Sequence, residues 1–298
     1  MAADIGFDDK VAVITGAGGG LGRCHALEFA RRGARVVVND LGGAIDGSGG
    51  GDGPAQQVVN EITELGGEAV ANTDSVATPE GGQGIVKSAI DAFGKVDIVV
   101  NNAGILRDKS FAKMDSELWN PVVDVHLNGA YHVTAAAWPH MKEQNYGRII
   151  NTSSNSGVLG NFGQANYGAA KMGLVGFTNV LAIEGAKNNI KTNAIAPVAL
   201  TRMTEEMFGA MGEKLQPEMV TPIVIFLAHE DCPVTGEVYS AAGGVISRFF
   251  VGNTTGFFDA ELTPESVRDN FETIRDESGY EVYPDSSGEL GKLLKMLG

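Results

Sequence analysis

Short runs of apolar, mostly β-branched residues alternate along this chain with longer stretches whose apolar residues recur at helical spacing, from Lys10 to about Gly244. The pattern predicts strands over 10–15, 35–39, 68–73, 96–100, 148–152, 190–196 and 237–240. Between them it predicts a helix ending at residue 32 and others over 54–65, 79–93, 116–144, 166–187 and 217–229. Strands apolar throughout and separated by helices imply an α/β fold: a doubly wound parallel sheet covered on both faces, in three α/β/α layers. Ligands of such sheets lie beyond the carboxyl ends of the strands. From Ser247 the composition turns polar and acidic, with the pairs Phe249-Phe250 and Phe257-Phe258 and a helix signal at Thr263-Pro264 reaching about residue 275. Residues 1–246 are therefore expected to form the sheet domain and 247–298 an extension packed on that domain or on a partner subunit.

Polar punctuation at the strand ends gives the sheet a purpose. Strand 10–15 runs into Gly16-Ala17-Gly18-Gly19-Gly20-Leu21-Gly22 and then a helix, the opening of a dinucleotide-binding Rossmann unit. Gly16, Gly20 and Gly22 let backbone amides and a helix N-terminus approach a pyrophosphate. The second strand ends in Asp40, about 20 residues on, where an acid binds both hydroxyls of an adenosine ribose and repels a 2′-phosphate, favouring NAD over NADP. Leu41 to Gly53 inserts seven glycines where a few residues would suffice, and two readings stand open: a disordered surface loop, or one that orders over the adenosine end or a neighbouring subunit.

After strand 148–152 come Ser154, then Tyr167 and Lys171, the last two four apart and so on one helical face. A neighbouring ammonium favours the ionised form of a phenol. Beside a carbonyl or alcohol, Tyr167 would serve as general acid or base and Ser154 as hydrogen-bond donor to the reacting oxygen.

Composition narrows the partners. A formal charge of −15 argues against nucleic acid or an anionic membrane surface. No apolar run is long enough to span a bilayer, and Cys24 and Cys232 have no metal-like spacing, so no metal is expected. The N-terminus lacks a signal pattern and the end, Lys295-Met296-Leu297-Gly298, is not the peroxisomal tripeptide, so a soluble cytoplasmic protein is expected. Met203, Met207, Phe208 and Met211 are read either as core packing or as a substrate lid.

Thr15-Gly16-x-x-x-Gly20-x-Gly22, Asn101-Asn102-Ala103-Gly104, Ser154 and Tyr167-x-x-x-Lys171 stand in the order of the short-chain dehydrogenase/reductase family, which residues 10–244 resemble. The resemblance implies that Asp74 and Val76 border the adenine, that Asn102 lies on the nicotinamide side, and that Tyr167 and Lys171 also bind the cofactor. It adds Leu21, Ala103, Gly104, Pro197 and Thr201 to the cofactor-binding set, and a homo-oligomer, dimer or tetramer.

Asn39-Asp40-Leu41-Gly42-Gly43, the stretch Gly104 to Phe111 and the stretch Gly160 to Tyr167 are similar to one subgroup, the dehydrogenase parts of type 2 peroxisomal multifunctional enzymes. That likeness implies oxidation of (3R)-hydroxyacyl-CoA with NAD, or of a 17β-hydroxysteroid. Arg107, Lys109, Lys113 and Arg202 are the cations available to the phosphates of coenzyme A. A protein that binds NAD as a sensor or scaffold, without turnover, is the alternative of another class.

Two positions depart from the family pattern: Val198 follows Pro197 where glycine is usual, and His126 stands where an asparagine helps relay protons to the lysine. His126 is thus a fourth candidate catalytic residue, or a core histidine holding a kink.

Overall fold

The computed structural model describes residues 4–51, 53–201 and 209–297. Strands β1 (Val11–Thr15), β2 (Arg35–Asn39), β3 (Ala69–Asn72), β4 (Ile98–Asn101), β5 (Gly147–Thr152), β6 (Ile190–Pro197), β7 (Val238–Ala242) and β8 (Val245–Phe249) form one sheet, in the order 3-2-1-4-5-6-7-8. All pairings from β3 through β7 are parallel, as strands buried on both faces require.

The strand order reverses between β1 and β4, which opens the ligand crevice there. Helices α1 (Gly20–Arg31), α2 (Gly53–Glu64) and Thr221–Ala228 cover one face through a core that includes Phe7, Phe29, Ile62 and Val224. Helices α3 (Pro79–Phe93), α4 (Ser116–Val123), α5 (Gly129–Glu143) and α7 (Ala165–Gly185), with the short α6 (Asn155–Leu159), complete the frame; Ile85, Val133, Met141 and Leu181 pack beneath the second face.

Three features differ from the sequence expectation. The helical region over 116–144 carries a π-helical turn at Asp124–Asn128, an extra residue per turn that no hydrophobic period announces. An eighth strand follows β7 after the two residues Gly243 and Gly244, with φ of +53° and +84°; so short a link makes β8 antiparallel to β7. The helix predicted to run to residue 275 breaks at Asn270, whose Nδ2 donates to the Ser266 carbonyl at 2.9 Å, leaving Pro264–Asp269 and Phe271–Arg275.

The chain divides into two compact units, one up to Arg248 and one from Phe249 onward. The second is held together by a stacked Phe250–Tyr280 pair, an Asn253–Glu281 bridge and Lys292, whose ammonium donates to Asn253 Oδ1 at 2.7 Å.

Candidate active site

The glycine turn, Asp40 and Ser154 all follow strand ends. Thr15 closes β1, and its hydroxyl accepts from the amides of Asn102 and Ala103, both at 3.0 Å, so the two central strands are tied where they finish. The Asn102 side chain donates to the carbonyls of Thr15 and Gly16 and braces the glycine turn.

Gly16 has a φ of +62°, and a Cβ there would stand 2.8 Å from the Ala103 Cα. Gly20, at +51°, starts α1, whose N-terminus has neither a side-chain cap nor an acidic residue in its first turn. Unpaired amides facing a cavity are what a pyrophosphate needs, so these residues fit a dinucleotide. Gly22 does not line the cavity; it packs beneath the turn, where a Cβ would meet the Gly16 carbonyl at 2.3 Å.

Asp40 sits at the end of β2 with Oδ2 accepting from Gly18 N at 2.8 Å and Oδ1 from Gly42 N at 2.7 Å. Its neighbour Asn39 reaches across β3 to Asn72 Oδ1 and the Asp74 carbonyl, while Asn72 Nδ2 donates to Asp74 Oδ2 at 2.8 Å. These bonds fix Asp74 at the cavity wall, with Val76 beside it.

The glycine insertion is folded back on itself, with Gly51 N donating to the Leu41 carbonyl and Ala44 N to the Ser48 carbonyl. Its Leu41, Ala44, Ile45 and Gly47 line the same cavity.

At the other end, Ser154 follows β5 and caps α6, accepting from Ser156 N at 3.1 Å. The Ser153 hydroxyl donates to the Lys171 carbonyl and joins β5 to α7, which places Ser154 opposite the first turns of that helix. Lys171 is buried, and its ammonium donates to the Thr152 carbonyl.

Burial lowers the lysine to about 7. It also raises the Tyr167 phenol; Ser154 pulls it down, and the charge of Asp108 adds to the rise. Sequence spacing suggests an ammonium that ionises the phenol, but the ligand-free chain holds both groups toward their neutral forms because neither is solvated. The Lys171 ammonium stands 5.5 Å from the Tyr167 ring centroid.

His126 lies in the π-helical turn, edge-on to the Tyr167 ring at 5.0 Å, with Nε2 2.8 Å from the Ile105 carbonyl and 3.0 Å from the Ile105 amide. Burial first, then the Lys171 charge, hold it well below the usual histidine range, so it is neutral at pH 7. Its buried Nδ1 has no partner among the described residues. The gap it shares with Asn101 and Lys171 has no volume for a water molecule.

One segment connects these parts. Leu106 N donates to the Ile45 carbonyl, and the Arg107 guanidinium donates to the carbonyls of Asp46 and Glu117, both at 2.8 Å. On the other side, Asn166 Nδ2 donates to the Arg107 carbonyl, Gln164 Nε2 to Asp108 Oδ2 at 2.7 Å, and Lys109 N to the Gly163 carbonyl.

The resulting cavity, about 750 Å³, is lined by Gly16, Gly20, Leu21, Asp40, Asp74, Val76, Asn102, Ala103, Gly104, His126, Ser154, Tyr167, Lys171, Pro197 and Thr201 among others. Of the cations proposed for phosphates, Arg107 is committed to backbone carbonyls, Lys109 and Lys113 are exposed, and Arg202 lies outside the described residues, as do Met203, Met207 and Phe208. Ile105 and Asp108 belong to the Gly104 to Phe111 stretch noted for its resemblance, and the glycine loop takes the ordered alternative; their long-range hydrogen bonds bring them to the cavity.

The sequence matches the family model described as short chain dehydrogenase over residues 10–211. It is 53% identical over 281 residues to the mouse peroxisomal multifunctional enzyme type 2, matching 93% of this chain and 38% of that protein. It is also 53% identical over 279 residues to a Mycobacterium tuberculosis protein described as a short-chain type dehydrogenase/reductase, matching 93% of this chain and 98% of the relative. The solved full-length peroxisomal multifunctional enzyme type 2 of Drosophila melanogaster superposes with a TM-score of 0.82 at 41% identity, covering 98% of this chain and 50% of that one. The chain thus spans well under half of the mouse relative.

These relatives correct the expectation of a cytoplasmic protein: those of mouse, Dictyostelium and Drosophila, with the yeast and Neurospora hydratase-dehydrogenase-epimerases, are peroxisomal by name. That expectation was drawn from the terminal residues, whereas a compartment is set by a receptor-read address that leaves little trace in a domain's folding pattern. With the family matched across residues 10–211 and relatives about half identical over nearly its whole length, the chain belongs to the short-chain dehydrogenase/reductase family, as an oxidoreductase that takes a nicotinamide cofactor and acts on CH–OH groups.

Proposed function

We propose that this chain oxidises (3R)-3-hydroxyacyl-CoA to the 3-ketoacyl thioester with NAD. The observation that carries the reading is a single cavity with Ser154, Tyr167 and Lys171 at one end and the glycine turn with Asp40 at the other. The yeast relative's name pairs a hydratase with a dehydrogenase; hydration of an alkene makes an alcohol and a dehydrogenase consumes one, which supports a substrate made by hydration.

Asp40 supports NAD, since an acid after the second strand would bind the adenosine ribose hydroxyls and repel a 2′-phosphate, and the cations lining the cavity among the described residues, Arg107 and Lys171, are both bound to carbonyls. When bound, the oxidised nicotinamide supplies the hydride acceptor and a positive charge. Tyr167 takes the alcohol proton as the C–H bond breaks, Ser154 donates to the substrate oxygen, and Lys171 stabilises the phenolate. His126 fixes the Ile105 turn and the edge of the Tyr167 ring as a positioning residue. A homo-oligomer is part of the same reading, supported by the exposed apolar stripe of Met172, Val180 and Ile183 on α7.

Tyr167→Phe should lower kcat by on the order of 10²-fold or more while NADH still binds, as read by fluorescence titration. Steady-state rates on 3-hydroxyacyl-CoAs, 17β-hydroxysteroids and both cofactors test the substrate; turnover of the steroids alone, or a preference for NADP, would overturn the reading.

A further inference from the structure

Among the chain's own side chains, the charges around the reacting end of the cavity do not balance. The lining residues there that carry or can carry charge, among those described, are Arg107, Asp108, Asp124, His126, Tyr167 and Lys171. Arg107 spends its guanidinium on the Asp46 and Glu117 carbonyls, Lys171 spends its ammonium on the Thr152 carbonyl, and His126 is neutral. Asp124 accepts from Asn128 Nδ2 at 2.9 Å.

Asp108 has one oxygen on Gln164 and no salt bridge among the described residues. Though exposed, its carboxylate is held by Gln164, and the backbone on either side of it is bonded to the turn that leads into Tyr167: Arg107 O accepts from Asn166, and Lys109 N donates to the Gly163 carbonyl. It lines the same cavity as Tyr167, and its charge adds to the rise of that phenol.

An alcohol placed at Tyr167 therefore has its neighbouring substituent in a cavity that the Asp108 carboxylate lines. In a 3-hydroxy acid that substituent is a carboxylate two bonds from the carbinol carbon; in the thioester or ester the same carbon is neutral. We propose that Asp108 is a specificity-determining residue which admits neutral 3-hydroxyacyl derivatives and rejects the corresponding free 3-hydroxy acids. This rests on the 3-hydroxyacyl reading above and names the feature of the acyl group that the site inspects.

The test compares (R)-3-hydroxybutyrate with its methyl ester, which share one carbinol and differ by one charge, in the wild type, Asp108→Asn and Asp108→Glu. Asn at 108 keeps an oxygen for Gln164 and removes only the charge. The wild-type kcat/KM ratio should favour the ester; Asp108→Asn should reduce that ratio about tenfold, about 1.4 kcal/mol, through a lower KM for the acid, and Asp108→Glu should retain it. A ratio unchanged within about twofold in Asp108→Asn overturns the assignment.

If the small alcohols turn over too slowly, acetoacetate and methyl acetoacetate titrated into the enzyme–NADH complex give the same ratio as dissociation constants. Failure of the thioester reading would appear separately, as steroid turnover without 3-hydroxyacyl-CoA turnover, while the acid-to-ester ratio can still be read.

Discussion

Lys171 carries a cost that its position explains. Buried on the Thr152 carbonyl, it titrates near 7, against 10.5 for an exposed lysine. Between those values the unfolded chain holds a proton that the folded chain has shed, so unfolding takes one up and stability rises with pH through this window. Lys171→Met should remove up to about 1.4 kcal/mol per pH unit of that slope between pH 7 and 10.5, read from denaturant melts, and abolish turnover. Equal slopes in both proteins would show that the lysine is solvated. The Tyr167 and Lys171 pairing is legible in the sequence because four residues on a helix make neighbours; the drift of both toward neutrality is not, since burial depends on Gly157, where any Cβ would press the Lys171 Cβ at 2.8 Å, and on β5 behind it.

Among the elements, the glycine insertion changes most between sequence and structure. Its composition allows either a disordered loop or an ordered one, and the choice is made outside it: Arg107 holds the Asp46 carbonyl, and Gly47, at a φ of +84°, lies where a Cβ would meet Ile105 at 3.1 Å. Arg107→Met removes two charge-assisted hydrogen bonds that link the loop to the start of α4. Non-specific proteases should then cut within residues 42–51 about tenfold faster in the ligand-free enzyme, as followed by mass spectrometry, with NAD slowing the cut in both proteins. Cleavage at the wild-type rate would mean that the loop holds itself. The π-helical turn is hidden for a related reason: Val125-His126-Leu127-Asn128-Gly129 reads as ordinary helix, and only the meeting of His126 with Ile105 shows what the extra residue achieves.

For the whole molecule, α7 offers an apolar surface that the described residues leave uncovered. Met172, Val180 and Ile183 are 40%, 52% and 56% exposed and fall on one side of the helix. A second copy fits such a stripe, so Ile183→Glu should lower the mass measured by light scattering by at least half while leaving the far-UV circular dichroism intact. An unchanged mass would exclude this face as the contact. The sequence by itself determined the parallel sheet, the glycine turn at its first strand, Asp40 at its second, and the Tyr167 and Lys171 pair, because each is written in residues near one another and in a period that hydrophobic burial enforces. Only the tertiary structure decided that Gly22 packs beneath the turn, that Arg107 clamps a loop, and that Asp108 lines one cavity with Tyr167. Those facts depend on side chains from distant strands meeting at one sheet edge, and no local pattern records which of them will be paired and which left charged.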